Sequence, residues 1–319
     1  MSIAEFKREI SAHPITTFPH VLVAIDFSEA SRRALCDAVT LTADSNARVS
    51  VIHVLQPDWR YHTLENPPEM DLQRIDEERR LKAFVENVAP KRDIEVSLFR
   101  HTSVADAVVQ AVNESDIDLV VIGTHGRCGL SKLALGSVAE ELLRIAPCPV
   151  MTIGPNSDIA AITRGPGFHT ILFATDFGQG SMAAVPLAVA LGRAHHAKLI
   201  LLHMISPMPA STGSFSAYAP AGPAANELEE WETGARKSSI HRLKECLPAD
   251  HGLEQEPAFI VGTDFLAEGV LTAAAKFKVD LIVMGANRAV SARAAAHAPW
   301  SAVHEVVTKA PCPVLTMAG

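Results

Sequence analysis

No stretch of this chain is apolar for long enough to cross a bilayer, so a membrane protein of the helical kind is not expected. Met1 to Pro19 carry Glu5, Lys7, Arg8 and Glu9 and lack the continuous apolar core of a secretory leader, and the location expected is cytoplasmic. Cysteine is sparse and odd in number: Cys36, Cys128, Cys148, Cys246 and Cys312 show no CxxC spacing, which argues against a disulfide framework or a zinc site. The histidines form no HExxH pattern, and Gly126 to Lys132 does not fit GxxxxGK[ST]. A basic excess is missing as well. The net charge of −8 disfavours a broad nucleic-acid surface. What the chain does have is length and apolar content: 319 residues at 48% hydrophobic are enough for two cores.

The most informative stretch begins at Asp118-Leu119-Val120-Val121-Ile122, short and β-branched as a strand buried on both faces should be. Gly123-Thr124-His125-Gly126 follows, then nine residues, then Gly136-Ser137 at the start of a helical pattern. Glycines at these places let main chain approach a polyphosphate, and the N–H groups of a helix start offer donors and a favourable dipole. Ser137 adds a hydroxyl.

The chain also repeats itself. Val21 to Asp26 returns as Ile171 to Asp176, and Val51-Ile52-His53-Val54 as Leu201-Leu202-His203-Met204. Asp118 to Gly123 returns as Asp280 to Gly285, and Ala146-Pro147-Cys148-Pro149-Val150 as Ala310-Pro311-Cys312-Pro313-Val314. Within the first copy, strands are expected near 20–25, 49–55, 94–99, 118–123 and 149–153, with helices near 29–43, 70–89, 103–115 and 132–145. Such alternation implies a parallel, doubly wound α/β sheet in each copy. Ala34, Leu35, Ala38, Val39 and Thr42 form the sheet-facing stripe of the first helix, echoed by Ala184, Val185, Ala188, Val189 and Gly192. Val138, Leu142 and Ile145 are the expected core stripe of the last helix of copy one, and Val303, Val306, Val307 and Ala310 that of copy two. Turn formers between Gly154 and Gly167 mark a linker, and the 206–225 stretch reads as a loop before a helix starting near Asn226. The reading is an extension over 1–17, domains over 18–155 and 168–319, and a linker over 156–167.

The spacing GxxG-x9-G[ST], the Val21-to-Ser28 run with its acidic end, the Val51-to-Val54 strand and the Ala146-to-Val150 closing entry together resemble the universal stress protein family over most of residues 18 to 154. The resemblance implies two tandem Rossmann-like, adenine nucleotide-binding sheets of strand order 3-2-1-4-5. It implies an ATP site at the crevice beside strands one and four, with magnesium or manganese only as the phosphate counterion. Carried onto this sequence, Ile25, Asp26 and Val54 fall on the adenosine side. Gly123, Gly126, Gly136 and Ser137 fall on the phosphate side, with Arg127 and Val138 adjacent. Asp26 as a helix N-cap is the plain alternative to a ligand contact. His125 lies inside the loop, where contact with ribose or phosphate and a turn-stabilising role are both open. Trp59, Tyr61 and His62 in the 57–68 loop could cover a base or simply pack. Cys128 could be redox-active or an ordinary thiol, and His53 and His203 read as a pair of core histidines.

Copy two departs from the pattern. Alignment of the closing helices puts Arg288 where Gly126 stands and Trp300 where Gly136 stands, while Gly285 and Ser301 are retained. An indole at that place obstructs close main-chain approach, so one ATP per chain is expected, in copy one. The fifth strands resemble the edges by which family members dimerise. An intramolecular pseudo-dimer is therefore implied, with a further homodimer and an unidentified protein partner left open. The function implied is an ATP-dependent stress-response module without established catalysis. A slow ATPase or adenylate-transferring enzyme of the same superfamily, and a purely structural dimerisation protein without ATP, are the alternatives.

Overall fold

A computed structural model describes residues 18–43, 45–56, 68–125, 135–157, 167–205, 225–286 and 300–318. The first copy runs β1 (His20–Ala24), α1 (Glu29–Leu41), β2 (Arg48–Leu55), α2 (Pro68–Val88), β3 (Glu95–Arg100), α3 (Val104–Glu114), β4 (Leu119–Gly123), α4 (Ser137–Ile145) and β5 (Val150–Ile153). The second runs β6 (Thr170–Ala174), α5 (Gln179–Ala183), α6 (Val185–Ala194), β7 (Lys198–Ile205), α7 (Ala225–Cys246), β8 (Ala258–Thr263), α8 (Leu266–Lys276), β9 (Leu281–Ala286), α9 (Trp300–Lys309) and β10 (Val314–Ala318). The strands lie in the order β3-β2-β1-β4-β5-β10-β9-β6-β7-β8. Each copy therefore has the order 3-2-1-4-5, all parallel within itself, and the two are joined into one ten-stranded sheet.

The join is antiparallel, with Val314 opposite Thr152, Leu315 opposite Met151 and Thr316 opposite Val150. Two equivalent threonines lock it: Thr152 Oγ1 donates to Val314 O at 3.1 Å and Thr316 Oγ1 to Val150 O at 3.2 Å. Both hydroxyls are buried, so these bonds spare polar groups that would otherwise be costly to leave unpaired. The pairing also removes two sheet edges that would otherwise be open.

Strand alternation divides the core between two faces. Val21 and Val23 of β1, with Leu119 and Val121 of β4, point to the face covered by α1, α2, α6 and α7. Leu22, Val120 and Ile122 point to the face covered by α3, α4, α8 and α9. Both clusters run through the join, so neither copy has a core closed off from the other.

Three details differ from the sequence expectation. The copy-two counterpart of α1 is broken at Ala184 into α5 and α6, because Pro186 in the first turn of α6 lacks an N–H and disfavours helical geometry just before it. Helix α4 starts at Ser137, with Leu135 and Gly136 non-helical, rather than near 132. Its buried face is Ala139, Leu142 and Leu143; Ile145 is 41% exposed and Val138 only half-buried. The stripe is rotated by about one residue toward Ala146, whose methyl closes the core where the chain turns into β5.

Candidate functional site

A cavity of about 670 Å³ opens at the carboxyl ends of β1, β2 and β4, a volume in the range of small-ligand pockets. Of the residues expected from sequence, it gathers Ile25, Asp26, Val54, Gly123, His125, Gly136, Ser137 and Val138. Gly126, Arg127 and Cys128 lie outside the described residues, as do Trp59, Tyr61, His62 and Arg288.

One wall is the start of α4. Gly136 is its N-cap, with no side-chain cap bond, and its own N–H donates to Thr124 O at 2.8 Å. Ser137, Val138 and Ala139 follow, and their N–H groups have no intrahelical acceptor because they open the helix. This end of the cavity suits an anion.

The opposite wall is set by strand lengths. Strand β2 outruns β1, whose last ladder pair is Ala24 with Ile52, and Ile25 N donates to Ile52 O at 2.9 Å. By ladder alternation the next main-chain groups of β2 to point that way are those of Val54, past the end of β1, where they face the cavity. Ile25 is different. Its N–H is spent on Ile52 and its carbonyl accepts from His53 Nδ1 at 2.6 Å, so its main chain is largely committed within the fold.

Asp26 is not the helix cap. Ser28 takes that place, accepting from Ser31 N at 3.1 Å, while Asp26 Oδ1 accepts from Ser28 N at 2.9 Å. Between them Phe27 holds φ +66°, a left-handed conformation costly for a bulky residue. Neighbours hold it there: its ring lies 4.6 Å from the His53 ring, and the Arg80 guanidinium sits 4.0 Å over it. The same device recurs in copy two, where Phe177 has φ +61°, lies 4.4 Å from the His203 ring and has Arg242 4.0 Å above it. The two histidines are thus core pieces that tie strand two to the end of strand one, with His203 Nδ1 donating to Thr175 O at 2.8 Å. Phe27→Gly should cost less stability than Phe27→Ala by about 1 kcal/mol, since alanine loses the stack and keeps the φ penalty; urea denaturation of the two variants checks the order.

Gly123 has a purely structural duty as well. A Cβ there would meet Ala30 Cβ at 2.7 Å and the Ala30 carbonyl carbon at 2.8 Å, so the glycine lets α1 settle on the end of β4. His125 Nδ1 is 2.8 Å from Thr124 Oγ1, and that hydroxyl donates to Ile153 O at 3.3 Å. The buried Nε2 of the same ring has no partner among the described residues. Cys148 and Cys312 immediately precede the two strands of the join. Burial pushes the Cys148 thiol up to about 11 and raises that of Cys312 further, which keeps both protonated and inert.

The sequence reading missed the third wall. Gln73 and Glu77 of α2 face the cavity, as does Gln56 at the end of β2. The spacing of four between Gln73, Glu77 and Leu81 was the available signal.

The copy-two crevice is built differently. Asp176 Oδ1 accepts from Ser181 Oγ at 2.7 Å as well as from Gly178 N at 2.8 Å, a side-chain bond that the corresponding Asp26 oxygen does not share with Ser31, whose hydroxyl donates to Ser28 O at 2.9 Å. Met204 stands where Val54 stands, and its Cε lies 2.5 Å from where a Cβ on Gly262 would be. Trp300 opens α9 at the position that Gly136 occupies before α4.

Comparison with known proteins gives the kinship of this arrangement. The sequence model of the universal stress protein family matches residues 17–154 and again 167–317. Universal stress protein A homolog 1 of Coxiella burnetii is 32% identical over 144 residues, spanning 43% of this chain and 96% of that protein. A universal stress protein of Mycobacterium bovis is 30% identical over 190 residues, 57% of this chain and 63% of that one. The crystal structure of a universal stress protein from Archaeoglobus fulgidus superposes with a TM-score of 0.61 over 96% of this chain and 98% of its own, at 16% identity, a likeness of fold. The chain belongs to the universal stress protein family, with the family's domain present twice.

Proposed function

We propose that this protein is an ATP-binding regulatory module that holds one nucleotide in the first copy and uses the second as an internal structural partner. The observation that carries the reading is the polarity of the copy-one cavity: helix-start amides without an intrahelical acceptor on one side, Val54 main chain and the Asp26 carboxylate on the other. An anion with a donor-rich nucleoside attached fits that gradient. Phosphate belongs at Gly136 and Ser137, with Gly126 and Arg127 supplied by the adjoining loop, and the adenosine at Val54 and Asp26. Asp26 would repel phosphate, which fixes the direction of the ligand. No lysine or arginine is among the described lining residues, so magnesium or manganese would arrive with the phosphates, and no group of three or more described metal-ligating side chains stands ready to hold one alone. We read 18–155 and 168–319 as the two domains, paired through β5 and β10 as a pseudo-dimer.

Equilibrium dialysis with ATP and magnesium tests this. One ATP per chain is expected, and Gly136→Trp, which copies Trp300, should weaken it by about 100-fold, near 2.7 kcal/mol. Absence of binding, or two equivalent sites, overturns the reading. Sustained phosphate release that disappears in Gly136→Trp would move it toward an enzyme.

A further inference from the structure

We propose that Glu77, assisted by Gln73 one turn earlier, selects the nucleoside end of the ligand by accepting hydrogen bonds from its amine or sugar hydroxyls; this rests on the nucleotide reading above. The argument starts from a break in the pattern of α2. Positions 73, 77, 81 and 85 follow one face at spacings of four. Leu81 is fully buried and Val85 nearly so, and both pack into the core. Continuing that face toward the start of the helix should give apolar residues, yet Gln73 and Glu77 stand there and line the cavity. Gln73 is exposed and Glu77 part-buried, so the face leaves the core here and presents two polar groups at the cavity rim.

Copy two supplies the contrast. Arg80 and Leu81 correspond to Arg242 and Leu243: both arginines lie 4.0 Å over the equivalent phenylalanine, and both leucines are fully buried. That register places Ser239 at the position of Glu77 and Ala235 at the position of Gln73. The copy in which Ser181 occupies the Asp176 carboxylate thus has neither of the long polar groups.

The side chain of Glu77 is held rather than loose. Its Oε2 lies 3.4 Å from Arg80 Nη1, its side chain is 22% exposed, and Arg80 is pinned over Phe27. Asp26 and Ser28, the neighbours of Phe27, line the same cavity. Through Arg80 and Phe27, Glu77 is in contact with the segment that carries Asp26. Two carboxylates flanking one end of a cavity repel phosphate and favour donors, which a nucleoside carries as a base amine and as ribose hydroxyls.

Isothermal titration of ATP, ITP, 2′-deoxy-ATP, 3′-deoxy-ATP and inorganic tripolyphosphate into wild type, Glu77→Ala, Glu77→Gln and Gln73→Ala distinguishes the donors. Glu77→Ala should weaken ATP by about tenfold, with Glu77→Gln losing less because it keeps an acceptor oxygen, and the loss should shrink below about twofold for the analogue lacking the recognised donor. Loss confined to pairs with the amine identifies the base; loss confined to a hydroxyl identifies the sugar. Melting temperatures without ligand serve as the folding control. The proposal fails if wild type binds ATP but Glu77→Ala binds it equally well, or if the variant weakens every ligand, tripolyphosphate included, to the same extent. If wild type binds none of the nucleotides, the nucleotide reading itself fails and this inference with it.

Discussion

Gly285→Ala should destabilise the protein by about 3 kcal/mol or more, while Gly234→Ala should stabilise it by about 1 kcal/mol. The two glycines differ in what a methyl would meet. At Gly285 it would overlap the carbonyl of Gly180 and Ser181 Cα, which are backbone atoms of α5 and cannot swing aside as a side chain could. Helix α5 would have to lift from the end of β9, opening a core that runs on into the first copy. At Gly234, inside α7, nothing among the described residues lies within 4 Å, so the backbone entropy of glycine decides the effect. Urea denaturation of both variants measures the difference, and similar stabilities would mean that α5 does not sit where the structure has it. Gly123→Ala, facing Ala30, belongs to the same class with a smaller overlap.

This pair of glycines also explains what sequence reasoning could and could not extract. The GxxG pattern reads in the sequence for its phosphate chemistry, and Gly285 is simply a retained position in a copy that has lost the other glycines. The structure gives both Gly123 and Gly285 a helix-packing duty that holds with or without a ligand. A sequence reports that a Cβ is missing, not which neighbour occupies its space.

The strands, the helices and the duplication were legible because they rest on periodicity and on repeated whole segments, signals spread over many residues, whereas the strand order and the pairing of the fifth strands followed only from the family resemblance. The α2 wall was not legible, because Gln73 and Glu77 depend on the rotation of one helix about its axis. The ring stack lay in between: Phe27 with Phe177 and His53 with His203 are visible as repeated pairs, but Arg80 and Arg242 sit beyond loops of unequal length and pair only in three dimensions. Pro186 was a missed opportunity, since a proline inside a helical pattern is a local break that needs no tertiary knowledge.

Asp37→Leu should raise stability at neutral pH and abolish a pH dependence present in the wild type. Asp37 sits on the buried face of α1, 3% exposed, with Oδ2 buried and without a hydrogen-bond partner among the described residues. Desolvation pushes its carboxyl up to about 7, and the nearby Arg33 offsets this only in part. In the unfolded chain the same group titrates near the usual value of about 3.9. Between these two values the folded protein holds a proton that the unfolded chain has released, so stability falls as pH rises through the window and is lowest above pH 7. The full loss is on the order of 4 kcal/mol. Copy two shows the remedy: with Ala34, Leu35 and Ala38 matched to Ala184, Val185 and Ala188, position 37 corresponds to Leu187, which is 2% exposed. The difference in urea stability between Asp37→Leu and wild type should therefore be small at pH 4, grow through pH 7 and level off above it. Asp37→Asn should flatten the same dependence with a smaller gain, because its amide stays buried and unpaired. A difference that is constant across this range would show that Asp37 is ionised in the folded chain and has found a partner.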